Sequence, residues 1–226
     1  MSSTMQGLHP DTLPFLIELK FNNHREWFES NRSRYEAIRA QLIRVVDEII
    51  ERVAEFDPAI RGQEGKHSLF RINRDVRFSK DKAPYKTNFG AAFGRGGRNS
   101  HFASYYMHLD PDEFFVGGGV YLPEADRLKQ IRRHIDLHGH ELLAILNDPV
   151  FAETYGSLQG EQLRTAPREY SKDHPYAGLL RYKSLYVGRN LTEEEVLSDT
   201  LPDIVAGYLR PMRGLNQFLD TALGAE

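Results

Sequence analysis

Residues 86–121 read KTNFGAAFGRGGRNSHFASYYMHLDPDEFFVGGGVY, and this stretch decides the fold class. It contains three short runs of aromatic and aliphatic residues, Lys86–Phe93, His101–Leu109 and Phe114–Tyr121. The runs are separated by GRGGRNS and DPDE, which are compositions typical of hairpin turns. The sequence therefore predicts an antiparallel meander. The glycines 117–119 inside the third run indicate a bend or bulge of the strand, or a close approach of another backbone or a ligand.

Amphipathic helices are expected on both sides of this meander. Apolar residues at helical spacing predict one long helix over residues 24–56, with a start at Asn23 and Glu26 that resembles a capping box. The same spacing predicts a second long helix over residues 124–147. A final helix near the end of the chain contains Pro211, which is expected to kink it or split it in two.

The remaining segments complete an α+β fold. We expect a short first helix from Asp11 or Thr12, strands at His67–Asn73 and Arg181–Val187, a wrapping segment over residues 150–178 and a capping box formed by Thr192 and Glu195. The predicted architecture is a single α+β domain over residues 1–226, with a flexible N-terminus at residues 1–10. Its antiparallel sheet is packed on one face by the long N-terminal helix, the central helix and the C-terminal helix.

Composition limits the classes of function. The chain of 226 residues has no cysteine, which excludes disulfides, thiolate zinc sites, iron–sulfur clusters and cysteine nucleophiles. Its formal net charge of -3 is unlike that of a dedicated non-specific DNA-binding protein. No charged leader followed by an apolar run and no membrane-length apolar segment occurs, so we expect a soluble cytoplasmic protein without a membrane partner. No cofactor follows from the sequence.

A basic stretch precedes and overlaps the first predicted strand. Residues 70–89 read FRINRDVRFSKDKAPYKTNF, with six cationic and two acidic side chains, which leaves an excess of four positive charges. Because guanidinium forks suit carboxylate and phosphate oxygens, this stretch predicts an anion site. The residues expected to bind the anion are Arg71, Arg74, Arg77, Lys82 and Lys86, and Tyr85 and Tyr106 are expected to bound it.

Three functions fit this stretch. The first is binding of an anionic small molecule or a nucleotide, with nucleic acid as a less favoured partner. The second is an enzyme that acts on a phosphorylated substrate, in which Asp75 or His174 transfers a proton while the arginines stabilise charge. The third is a structural or interaction module in which salt bridges turn the stretch into a clasp.

The other histidines do not predict a metal site. His134 and His138 are four residues apart on a predicted helix, a spacing that two metal ligands can use. Ile135 follows His134, however, so the sequence is not the HExxH motif, and His138 falls on the apolar stripe of the helix. We therefore expect a structural histidine pair and no metal.

A long motif resembles a known family. The pattern FRI-x-RD-x-RFS-x-DK-x-PYKT, preceded by NN-x-x-x-WF at residues 22–28, is similar to domain-of-unknown-function family 2461. The resemblance covers most of the chain and implies no particular reaction, since the family carries no established activity. One segment departs from the family pattern, because Glu169 replaces a glycine in the motif around Pro167 and Tyr170. The matching positions are Trp27, Phe28, Arg71, Arg74, Asp75, Arg77, Phe78, Ser79, Asp81, Lys82, Pro84, Tyr85, Lys86, Gly117, Gly118, Gly119, Arg132, His174 and Pro175.

Overall fold

A four-stranded antiparallel sheet forms the centre of the protein. The computed structural model describes residues 7–225. The strands are β1 (Phe89–Gly94), β2 (Ser104–Asp110), β3 (Glu113–Val120) and β4 (Leu185–Asn190), and they pair in the order β1-β2-β3-β4. The predicted antiparallel meander and the α+β fold class are therefore confirmed, with β4 added from the predicted strand at Arg181–Val187.

Irregular segments extend the sheet beyond both edge strands. Beside β1, Leu69 pairs with Ala91 and Asn73 pairs with Tyr85. Beside β4, Gln162 pairs with Tyr182. The predicted strand at His67–Asn73 is wrong at its start, because residues 65–68 form a helical turn.

Ten α-helices of the described residues surround the sheet. They are α1 (Thr12–Phe21), α2 (Arg25–Ser30), α3 (Arg32–Phe56), α4 (Gly65–Ser68), α5 (Ala125–Leu146), α6 (Pro149–Tyr155), α7 (Ala177–Leu180), α8 (Glu193–Leu197), α9 (Leu201–Leu209) and α10 (Arg213–Ala222). Short 3-10 turns occupy Pro58–Ile60 and Arg210–Met212. No helix among residues 7–225 is long and apolar enough to cross a membrane.

Several helix boundaries differ from the predicted ones. The single helix predicted for residues 24–56 is two helices, α2 and α3, which meet at Asn31. The cap of α2 is His24 and not Asn23, because the His24 ring accepts a hydrogen bond from the Trp27 backbone N–H. Helix α6 was missed within the predicted wrapping segment, although Asp148 caps it with bonds from two backbone N–H groups.

Two predictions at the end of the chain are confirmed. Thr192 and Glu195 form a reciprocal capping box at the start of α8. Pro211 lies in the 3-10 turn that separates α9 from α10, so it splits the predicted helix. Of the N-terminal residues expected to be flexible, 1–6 lie outside the described residues, whereas Gly7 is buried and its carbonyl accepts a hydrogen bond from Gln41.

The helices pack against one face of the sheet. Tyr105, Met107 and Leu109 of β2 are buried on this face, and α9 and α10 pack against β3 there. The alternate residues of β2, including Tyr106 and His108, lie on the opposite face and are half-buried. We call this opposite side the open face.

The glycines of β3 permit close packing of the strands. Gly119 has a φ of +117°, and a Cβ atom there would overlap the Leu185 carbonyl of β4. A Cβ atom on Gly118 would overlap the Ser104 carbonyl of β2. The close approach is therefore made by the neighbouring strands, and the glycines have a structural role.

Candidate functional site

The basic stretch folds into an irregular hairpin at the β1 edge of the sheet. Its two arms are residues 69–74 and 84–91, joined by the loop 75–83. The Phe70 N–H donates to the Gly90 carbonyl, whereas the Lys86 N–H donates to the Ile72 carbonyl. Residues 87–89 of the second arm therefore lie opposite the single residue Arg71 of the first arm. This mismatch in length is a β-bulge. The bulge explains why regular β1 begins at Phe89 and not at Lys86.

Asn23 clamps this hairpin to the helical part of the protein. Its Nδ2 donates to the Tyr85 carbonyl at 2.9 Å, and its Oδ1 accepts from the Tyr85 N–H at 3.0 Å. These are the two backbone groups of Tyr85 that face away from the other arm. The Asn23 side chain therefore makes the two hydrogen bonds to the Tyr85 backbone that a neighbouring strand would otherwise make.

The loop of the hairpin neutralises two of the predicted anion-binding arginines. Arg74 pairs with Asp81 and also donates to the Ala83 carbonyl at 3.2 Å. The Arg77 guanidinium donates to both carboxylate oxygens of Asp75, at 3.0 and 2.7 Å. The Arg77 guanidinium lowers the pKa of the Asp75 carboxyl, and the Ala83 backbone N–H together with the Arg74 guanidinium lowers the pKa of the Asp81 carboxyl. This half of the stretch has the internal ion pairs that the clasp hypothesis requires.

Two other cations of this region, Lys86 and Arg98, contact one aromatic ring. The Nζ atom of Lys86 lies 5.2 Å from the centroid of the Phe70 ring, and the Cζ atom of Arg98 lies 5.1 Å from it. The Arg98 guanidinium also donates to the Leu69 carbonyl. Arg71 is exposed and lies opposite the bulge. We call Arg71, Lys86 and Arg98 the three-cation cluster.

The three-cation cluster has no carboxylate partner. Among residues 7–225, no acidic group lies within ion-pairing distance of Arg71, Lys86 or Arg98. Burial and the charges of Arg71 and Arg98 lower the pKa of the Lys86 ammonium. Hydrogen bonds from Arg77 are the main cause of the lowered pKa of Asp75, and the charge of Arg71 adds a smaller contribution. The carboxylate oxygens of Asp75 are bonded to Arg77 and not to Arg71. The positive charge of the cluster is therefore left for a ligand or for solvent to neutralise.

Aromatic side chains continue from the cluster across the open face. Phe70 meets Tyr106 of β2 at 6.3 Å between ring centroids, and Tyr106 meets Phe115 of β3 at 5.6 Å. His108 stacks on Phe115 at 4.8 Å. We call Phe70, Tyr106 and Phe115 the ring row.

Hydrogen bonds fix His108 beside the ring row. Its Nδ1 atom lies 3.1 Å from the Tyr106 hydroxyl and 3.4 Å from the Asn88 amide nitrogen. Because an amide nitrogen can only donate, Nδ1 is the acceptor and the ring is neutral. Burial lowers the pKa of His108, which also favours the neutral ring.

The structure separates the predicted binding residues into three groups. Arg71, Lys86 and Tyr106 come together near Phe70, whereas Arg74 and Arg77 are paired in the loop. Lys82 donates to the Val76 carbonyl at 3.0 Å within the loop. Tyr85 is only 5% exposed and stacks on Phe28 at 4.0 Å, so its ring packs in the core and is left out of the candidate site.

The two candidate proton-transfer groups lie in different surroundings. His174 Nδ1 accepts from the Tyr176 backbone N–H at 3.1 Å, so its proton is on Nε2, which lies 2.9 Å from Asp136 of α5. Asp75 is bonded to Arg77 in the hairpin loop. In the described part of the chain, no hydrogen bond, ion pair or ring contact joins these surroundings.

His174 belongs to a set of contacts that hold the loop 164–184 onto α5. Arg132 of α5 donates to the carbonyls of Leu180 and Tyr182 at 2.9 and 3.2 Å. The Tyr176 ring packs directly against Gly139, where a Cβ atom would overlap it. Both nitrogens of His174 are bonded, so the arrangement acts as a structural tie.

The histidines of α5 form a surface pair. The rings of His134 and His138 lie 4.6 Å apart, and His138 Nδ1 lies 3.0 Å from Glu141. Backbone angles at His138 interrupt the helix with a kink. Within residues 7–225, no group of three or more metal-ligating side chains is present.

Comparison with protein families explains why so many residues of the hairpin carry a recognisable pattern. A family model described as a conserved hypothetical protein, DUF2461, matches residues 11–218. The chain belongs to the DUF2461 family. The family match extends from α1 into α10 and includes the whole hairpin. No curated protein and no solved structure matched the chain.

The positions that resemble the DUF2461 pattern are mainly structural in this chain. Asn23 clamps Tyr85, and Phe28 stacks on the Tyr85 ring. Arg132 and His174 hold the loop onto α5. Among the matching cations of the described residues, Arg71, Lys82, Lys86 and Arg132 have no acidic ion-pair partner, and of these Lys82 and Arg132 donate to backbone carbonyls.

Sequence reasoning missed Arg98 as part of the site. It lies in the segment GRGGRNS, which indicated a flexible hairpin tip. The pairing of Leu69 with Ala91 brings this turn to the arm that carries Phe70. The sequence shows that Arg98 lies in a turn that follows the basic stretch, and this could have marked it as a candidate. Only the register of the sheet shows that Arg98 contacts Phe70.

Proposed function

We propose that this protein binds an anionic ligand, one that carries a phosphate or carboxylate group, at the three-cation cluster. A single observation carries the proposal: Lys86 and Arg98 contact the Phe70 ring, Arg71 follows Phe70 in the same arm, and no carboxylate pairs with these three cations among the described residues. Burial, and after it the charges of Arg71 and Arg98, lower the pKa of Lys86. Repulsion between these like charges raises the free energy of the unliganded protein. A bound anion offsets this repulsion.

The side chains of the cluster suit such an anion. Arg71 and Arg98 provide planar guanidinium forks that can donate two parallel hydrogen bonds to one phosphate or carboxylate. Lys86 adds a compact charge that is half-buried, and partial burial strengthens its attraction to an anion. The arginines of the loop contribute less, because Asp75 and Asp81 already neutralise them.

The proposal concerns binding and not catalysis. An enzyme that uses Asp75 or His174 would need one of these groups beside the bound anion. His174 is tied to Asp136 and Tyr176, and Asp75 is engaged by Arg77. The ion pairs of the loop support a structural clasp as a second role of the same hairpin, since they hold the arm that carries Lys86.

Titration calorimetry with inorganic phosphate, pyrophosphate and citrate tests the proposal. We expect the protein to bind at least one of them, and Lys86→Gln to weaken that binding about 10-fold or more, since a hydrogen bond to a charged group contributes about 1.5 to 3 kcal/mol. Lys129→Gln on α5 is the matched control, because Lys129 is exposed on a helix that packs against α10, and it should leave binding unchanged.

Two results would contradict the proposal. One is the absence of binding by the folded protein to every anion tested. The other is an equal loss of affinity in Arg77→Gln and Lys86→Gln, which would place the ligand at the loop and not at the three-cation cluster.

A further inference from the structure

The ring row lies directly beside the three-cation cluster. Phe70 connects the ring row to the cluster, because Lys86 and Arg98 contact its ring and its ring contacts Tyr106. From Phe70 the row crosses from the edge arm to β2 and then to β3. The cluster therefore marks one end of a line of three aromatic rings that crosses neighbouring strands.

The rings of the row meet at steep angles. The planes of Phe70 and Tyr106 are inclined by 63°, and those of Tyr106 and Phe115 by 46°. Phe70 is 38% exposed, and Tyr106 and Phe115 are half-buried. Neighbouring rings of the row at such angles do not cover each other in a parallel stack. His108 stacks on Phe115 and two cations contact Phe70, so the ligand would use the parts of the three rings that remain exposed.

The residues around the rings are exposed or partly exposed. Arg71 and Phe70 are exposed, Lys86 and Arg98 are half-buried, and the ring row lies on the face opposite α9 and α10. Sites for small molecules are usually concave and enclose most of the ligand. Partly exposed aromatic rings on a sheet, with cations at their edge, are instead typical of proteins that bind unpaired nucleic acid.

We propose that the anionic ligand of the three-cation cluster is single-stranded nucleic acid, whose phosphates contact Arg71, Lys86 and Arg98 while its unpaired bases stack on the ring row. This inference rests on the proposed function and adds the class of ligand. The net charge of -3 is compatible with it, because the contact is confined to one face of the protein. A duplex fits less well, since its bases are already stacked and paired.

The number of free cations sets the expected salt dependence. Each phosphate contact made by a single strand contributes about -0.7 to the slope of log K against log salt concentration. Three contacts therefore predict a slope of about -2. Lys86→Gln should reduce the slope to about -1.4, since one contact is removed.

The rings should affect affinity without affecting the slope. Stacking of one base on an aromatic side chain corresponds to roughly a 5- to 150-fold change in affinity. Tyr106→Leu is therefore expected to weaken binding within this range at constant slope. Tyr106→Phe keeps the ring and should bind like the original protein, and Phe115→Leu provides a second ring variant in another strand.

Fluorescence anisotropy with a labelled oligo(dT) measures both quantities. Titrations of the full chain between about 50 and 200 mM salt give the slope, and polyphosphate serves as a competitor that has charge but no bases. Phe21→Leu on α1 is the matched aromatic control, because this ring is 80% exposed and belongs to the helical side. Circular dichroism confirms that each variant is folded.

Each outcome decides one of the two proposals. A slope near -2 with a loss of affinity in Tyr106→Leu or Phe115→Leu, but not in Phe21→Leu, supports the inference. Polyphosphate and phosphate binding without any effect of the ring variants overturns the inference and leaves the proposed function intact. Stronger binding of duplex than of oligo(dT) also overturns it. Failure to bind any anion overturns both.

Discussion

Replacing Asn23 by alanine is expected to destabilise the protein by about 2 to 3 kcal/mol. The change removes both hydrogen bonds to the Tyr85 backbone, at 2.9 and 3.0 Å. It also leaves an N–H and a carbonyl of Tyr85 without a partner beside a ring that is 5% exposed.

The magnitude follows from the two groups that lose their partner. A hydrogen bond contributes about 1 kcal/mol net, whereas an orphaned buried group costs about 1 to 3 kcal/mol. Two such groups would cost about 2 to 6 kcal/mol, and because water can reach part of this region we take the lower end of that range, about 2 to 3 kcal/mol. Asn22→Ala is a close control, since the Asn22 side chain donates only to the Glu18 carbonyl, which also accepts from the Asn22 backbone N–H.

Urea unfolding followed by circular dichroism measures the effect. The unfolding midpoint of Asn23→Ala should fall well below that of Asn22→Ala, with similar slopes. Amide exchange of Tyr85 should accelerate, because its N–H loses the bond to Asn23. A free energy of unfolding within about 0.5 kcal/mol of that of Asn22→Ala would refute the clamp as a stabilising element.

Two further predictions concern buried polar and backbone contacts on the sheet. Burial raises the pKa of Asp220 to about 6 from an ordinary value of 3.8, and the Ala103 N–H bond opposes this shift. A raised pKa means that the folded state binds the proton more tightly, so this group makes the protein less stable as the pH rises from about 4 to about 6. Asp220→Asn should remove that pH dependence and raise the free energy of unfolding at pH 7 by about 1 to 2 kcal/mol. Urea unfolding of the variant and the parent protein at pH 4 and pH 7 measures this. A difference between variant and parent that is the same at both pH values would contradict the prediction. Gly119→Ala should lower stability by more than about 2 kcal/mol, because φ is +117° and the Cβ atom would overlap the Leu185 carbonyl; a thermal melt unchanged from that of Gly97→Ala, where φ is also positive but no atom is near, would show that β3 shifts to make room.

The regular elements could be predicted because they depend on residues that are close in sequence. The alternation in β2 and the helical spacing in α3 and α5 are local patterns, and each element formed. The break at Asn31 was missed because the apolar pattern continues across it. The cap at His24 was missed because Asn23, the better capping residue, is used to clamp Tyr85 instead.

The candidate site was less predictable because it depends on register. Arg71 and Lys86 could be identified from charge alone. The bulge at residues 87–89 decides that both lie near Phe70, and no local pattern marks it. Arg98 joins them only through pairing between separate segments of the sheet.

The number of charges in the basic stretch could not decide between the anion-binding hypothesis and the salt-bridged clasp hypothesis. Asp75 and Asp81 were visible as possible partners for any of the six cations. The turn 75–83 places them next to Arg77 and Arg74, which leaves Arg71 and Lys86 of the arms without an acidic partner in the described residues. Loop conformation therefore pairs two of the six cations of the basic stretch with its two acids and leaves the other four without an acidic partner in the described residues.

The irregular segments at the two edges of the sheet affect how the protein behaves in solution. A regular edge strand exposes a row of unpaired N–H and C=O groups that another chain can extend into an aggregate. Here the outermost arm next to β1 is short, carries Arg71 and Arg74, and faces a bulge, and the arm next to β4 is joined by a bridge at Gln162. Both features oppose addition of a further strand. The sheet can therefore leave one face uncovered without offering its edges to intermolecular strand pairing.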